Sequence, residues 1–97
     1  MKIRSHKDLD VWKRSMKLAT VVHRLTSFWP NNEQYGLTSQ VRRAAVSVPS
    51  NIAEGAARAS AKDFCRFLDI AQGSLAEVET QLELAERVGI VDGNSGL

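Results

Sequence analysis

Leu37, Val41, Ala44, Val48 and Ile52 recur at spacings of four, three, four and four, which is an apolar row at the period of an α-helix. Strand side chains alternate with a period of two, so a strand would split this row between two faces. The pattern predicts a helix from about residue 37 to residue 57. Pro49 lies inside it, removes one backbone hydrogen bond and crowds the carbonyl of Ala45, at a cost of about 3 kcal/mol. A kink near residues 45–49 is expected, with Ser47 and Ser50 placed to bond the freed backbone groups and keep the helix continuous.

Two more helices follow from the same reasoning. The first spans about residues 8–27, with Asp8 as its expected cap. Leu9, Trp12, Met16 and Ala19 occupy one strip, Val11, Leu18, Val22 and Leu25 the next, and together they predict a wide buried face. Pro30 and the Asn31-Asn32 pair then mark a turn. Ser60 followed by Asp63 forms a capping arrangement for a third helix over about 61–88. Its apolar face includes Phe64, Phe67, Ile70, Ala71, Val78 and Leu82, and Gly89 is its expected stop. Residues 89–97 read as a turn-like tail. The fold class is therefore all-α, a single domain over 1–97 with three long helices.

Composition excludes several function classes. One cysteine, Cys65, permits no intrachain disulfide and no zinc-finger ligand set, and its place between Phe64 and Phe67 predicts buried packing. No apolar stretch approaches a membrane span or a secretory signal, so a cytoplasmic protein with no membrane partner is expected. Phosphate loops, nucleophile elbows and His-Glu-x-x-His sequences are absent, and neither His6 nor His23 follows a glutamate by three residues, as a carboxylate-bridged metal site in a bundle requires. No enzyme activity, metal or cofactor is expected.

Net charge is only +2, yet it is unevenly spread. Residues 1–30 hold seven Lys/Arg against two acids, whereas residues 31–97 hold six against nine. Lys13, Arg14, Lys17 and Arg24 fall on the side of the first helix opposite its apolar strips, extended by Lys2, Arg4 and Lys7. Such a strip fits phosphate contacts without base readout; an ordinary solvated face, or attraction between copies, is the competing explanation.

A second constellation is polar. Arg43, Ser47, Asn51 and Glu54 form a row beside the apolar stripe, and Ser74, Glu77 and Gln81 share a strip on the third helix. These seven residues are expected to face one another as a buried, fully bonded network that fixes helix register rather than a catalytic pocket. The outer strip Glu79, Glu83 and Glu86 reads as a solvated face.

With these residues placed, the chain resembles the small four-helix-bundle proteins of 23S rRNA intervening sequences, relatives of the accessory proteins of diversity-generating retroelements. The resemblance rests on Leu9-Asp10-Val11-Trp12, on the run from Glu33 to Gln40 with Arg42-Arg43-Ala44, on Val48 to Gly55, and on Ala71 to Gln81. It implies an antiparallel up-down helical bundle that assembles as a homo-oligomer, typically a pentameric ring, with nucleic acid and a reverse transcriptase as partners. The pattern of that family continues into a fourth helix, which this sequence does not show. Three helices alone would leave an apolar groove on the first and third helices, open to cover by a neighbouring copy. Two functions follow as alternatives: a sequence-tolerant RNA- or DNA-binding accessory factor, or a purely structural, protein-interaction oligomer.

Overall fold

A computed structural model describes residues 5–34 and 36–90. Among them lie three α-helices, α1 (Asp10–Thr26), α2 (Leu37–Ala56) and α3 (Ala61–Arg87), with 3₁₀ turns at His6–Asp8 and Asn31–Glu33 and no strand. Residues beyond Ile90, including most of the expected tail, lie outside the described part, as do Lys2 and Arg4.

The helix ends follow local chemistry. Ser60 Oγ accepts a hydrogen bond from the Asp63 amide at 3.1 Å and starts α3 as its sequence predicts. At the other end Gly89 takes φ +84°, and the Ile90 amide reaches back to the Ala85 carbonyl at 2.9 Å, so that Ile90 folds onto the core. The start of α1 differs from expectation. Asp8 does not cap it: the Asp8 amide is taken up by the Ser5 carbonyl in the preceding 3₁₀ turn, and Leu9 becomes the capping position without a side-chain bond.

α2 is the centre of the packing. It runs unbroken through Pro49, which is buried, and Val41, Ala44, Val48 and Ile52 of the predicted stripe are all buried. One core cluster joins Val22 of α1, Val41, Ala44 and Ala45 of α2, and Val78 and Ala85 of α3, closed by Trp29 from the α1–α2 connection. A second groups Val48, Ile52 and Ala71 with Leu9, Trp12, Leu68 and Leu75 at its edge. Ser47 does not serve the backbone freed by Pro49; its hydroxyl meets Ser74 of α3 at 2.7 Å. The pairing of Ser47 with Ser74, and of Gly55 with Phe67, shows that α2 and α3 run antiparallel.

The wide buried face expected on α1 is narrower in the structure. Of its eight apolar residues only Val22 is fully buried, at 2% exposure, while Val11, Met16 and Leu25 are exposed. The reason is that α1 packs chiefly on α2: no Cα of α1 comes within 8 Å of one in α3, and Val22 alone of its fully buried apolar residues joins the cluster that holds Val78 and Ala85. Leu25 and Leu82 instead face a cleft of about 430 Å³ between those two helices. Ile70, expected in the core, sits on the outer edge of α3, and Cys65 is exposed rather than buried.

α2 and α3 approach closely at Gly55. A methyl group there would stand 2.6 Å from Phe67 Cβ and 3.0 Å from Phe64 Cδ1, so the helices must part to admit it. Ordinarily alanine stabilises a helix interior over glycine by about 0.5–1 kcal/mol. Here Gly55→Ala is expected to do the reverse, lowering unfolding free energy by about 1–3 kcal/mol through overpacking, as read by urea denaturation.

Candidate nucleic-acid interface

α1 owes its cationic face to simple periodicity. With Val22 anchored on α2, Lys13, Arg14, Lys17 and Arg24 fall within an arc of about 100° on the far side at 100° per residue, and all four are exposed. The arc runs about 16 Å along the helix at 1.5 Å per residue. Asp10 shares it only at the N-terminal end.

Three cations elsewhere are paired with carboxylates, whereas Lys62 and Arg43 of the described residues are not. Arg58 pairs with Glu54 at 2.8 Å and lies over the Phe67 ring, Arg66 approaches Asp63 and the same ring, and Arg87 pairs with Glu83 at 2.7 Å. Among the described residues, none of the four α1 cations has a carboxylate within ion-pair distance. The uneven charge of the sequence therefore becomes an outward, uncompensated surface.

Arg42 is the structural exception that sequence reasoning missed. Its Nε donates to Thr26 Oγ1 at 2.6 Å and its Nη2 to the His23 carbonyl at 2.9 Å. Thr26 Oγ1 donates in turn to the Val22 carbonyl at 2.8 Å. A cation thus closes the carbonyl end of α1, where the helix dipole is negative, and locks α1 against the start of α2. Arg42 belongs to the scaffold that orients the basic face.

The structure brings together only three of the seven residues expected in the polar network. Asn51 Nδ2 donates to the Ser47 carbonyl at 2.8 Å and to Ser47 Oγ at 2.9 Å. Ser47 Oγ and Ser74 Oγ share a further hydrogen bond in which either hydroxyl can donate. Arg43 is exposed, its nearest polar partner being Ser39 Oγ at 3.4 Å. Glu54 turns to Arg58 and Glu77 to solvent. Gln81 is half-buried with its Oε1 unpartnered. The physical reason is desolvation: full charges at the rim of a helix crossing stay hydrated, and only small hydroxyl and amide groups go inside.

A second feature escaped the sequence. An apolar groove of about 580 Å³ runs between α1 and α2, floored by Trp12, Met16, Ala19, Val46, Pro49 and Ala53, with His23 and Arg24 at its rim. It borders the cationic arc. Val46 and Met16, both exposed, were the available hint, yet a groove is a relation between two helices and no single periodicity reports it.

These features define a small all-helical protein with a cationic outer helix. The model of the 23S rRNA-intervening sequence protein family matches residues 7–96, and the chain belongs to that family. No curated protein matches the chain.

Arg42 and Lys17 should separate scaffold from surface. Arg42→Met is expected to cost about 1–2 kcal/mol, because two charge-assisted hydrogen bonds are lost at a helix end. Lys17→Met should change stability by no more than about 0.5 kcal/mol. Chemical denaturation of both variants checks the contrast.

Proposed function

We propose that the protein is a non-enzymatic, self-associating cytoplasmic accessory factor that holds RNA or DNA by its phosphates through Lys13, Arg14, Lys17 and Arg24. The observation that carries this reading is the exposed arc of α1 cations, free of carboxylate partners among the described residues. Phosphate contact needs nothing further, and the arc offers no aromatic side chain on which bases could stack, so binding is sequence-tolerant. The family description, which concerns an intervening sequence of ribosomal RNA, makes RNA the first ligand to test. The resemblance adds a pentameric ring, which would repeat the arc and multiply phosphate contacts, and a reverse transcriptase as the protein partner.

A purely structural oligomer is the second reading. It is favoured by the exposed apolar groove and by the acid-rich outer strip of α3, where Glu79, Glu83 and Glu86 are all exposed.

Filter retention or anisotropy with labelled RNA and DNA across a salt series tests the choice. Affinity should fall linearly with salt on a log–log scale. Lys13→Glu with Lys17→Glu should weaken every sequence alike and reduce the slope by about 2. No binding at low salt, or binding indifferent to those substitutions, supports the structural reading.

A further inference from the structure

Two surfaces of the chain have shapes and charges that fit each other but not themselves. The first is the α1–α2 groove, whose lining contains no carboxylate and whose rim carries His23 and Arg24. The second is the outer edge of α3, where Ile70, Gly73, Glu77 and Leu84 lie along one side of the helix and are all exposed, Ile70 at 44% and Leu84 at 47%. Gly73 is the telling residue of this edge. It sits in the middle of a 27-residue helix, where glycine is unfavourable, and a methyl group placed on it would meet nothing within 4 Å. Nothing inside the chain requires a glycine there. A bare backbone at this point lets another helix surface come close.

The lengths agree. From Trp12 to Arg24 the groove follows α1 for about 18 Å, and from Ile70 to Leu84 the edge extends about 21 Å, at 1.5 Å per residue. Charge selects this groove over the α1–α3 cleft, because the cleft is lined by Glu83 and Glu86, which would face the Glu77 of an incoming edge. In the α1–α2 groove the same Glu77 meets no carboxylate, and Arg24 stands at the rim to pair with it.

We infer that the outer edge of α3 in one copy docks into the α1–α2 groove of the next. The contact is heterologous, joining two different surfaces, so each subunit offers one groove and one edge. Such a contact builds a ring when the rotation between copies closes and an open filament when it does not, and the proposed pentamer is the closed form. Ile70 and Leu84 supply the apolar anchors, Gly73 the close approach, and Glu77 the complement to Arg24. Lys13, Arg14 and Lys17 remain outside the contact and carry the phosphate binding in the assembly, Arg24 being given over to Glu77. The inference rests on the self-association part of the proposed function and specifies its surfaces.

Complementation between two defective chains tests it. Ser50 lines the groove and Leu84 the edge, and both are exposed, so S50R and L84R should each fold, as circular dichroism will verify. Each variant alone should lose the ring and run as a monomer of the 10.7 kDa chain in size exclusion with light scattering. Mixed in equal amounts they should form a dimer and nothing larger, since the mixture contains one sound groove facing one sound edge. Rings that persist in either variant, or a mixture that stays monomeric, would overturn the assignment while leaving self-association intact. A wild-type chain that is monomeric at all concentrations would overturn both.

Discussion

The close approach of α2 and α3 at Gly55, where a side chain would strike Phe67 and Phe64, fixes the distance between the two helices on which the rest is built. With that distance set, Val48, Ile52 and Ala71 interlock below the level of Ser47 and Ser74, and Val41, Ala44, Ala45, Val78 and Ala85 interlock above it. Small residues on facing positions make this possible. Larger ones would hold the helices apart and leave the Ser47–Ser74 bond unmade.

α1 joins this pair through fewer constraints. Val22 enters the core, Trp12 and Leu9 lean on the lower cluster, and Arg42 ties the C-terminal carbonyls of α1 to α2. Because α1 meets α2 closely and α3 only through the core around Val22, it has surface to spare. That surplus is divided by chemistry into an apolar groove against α2, a cleft toward α3 lined by both leucines and charged residues, and a cationic arc facing away from both. Function, on this account, is drawn from the helix the core needs least.

How much of this the sequence disclosed depends on whether one helix or two had to be known. The α2 stripe and the Ser60 and Gly89 boundaries are properties of a single element, and the periodicity and capping rules read them correctly. The cationic arc was equally legible, since Lys13, Arg14, Lys17 and Arg24 need only the helical phase of α1. The polar network was half legible: Ser47, Asn51 and Ser74 meet, but strip geometry cannot weigh the hydration of Arg43, Glu54 and Glu77, and that term places them outside. Asp8 misled because Ser5 draws it into a separate turn. The role of Arg42 and the α1–α2 groove were illegible, as both exist only once two helices have been set side by side.

The claim that α2 is the shared element, to which α1 and α3 are each held more closely than to each other, is open to one direct measurement. Native-state amide hydrogen exchange followed residue by residue should show the slowest exchange at Val41, Ala45, Val48 and Ile52, opening only with global unfolding. Amides on the outer turns of α1 should exchange through smaller, local openings. Protection in α1 equal to or greater than that of α2 would contradict the account.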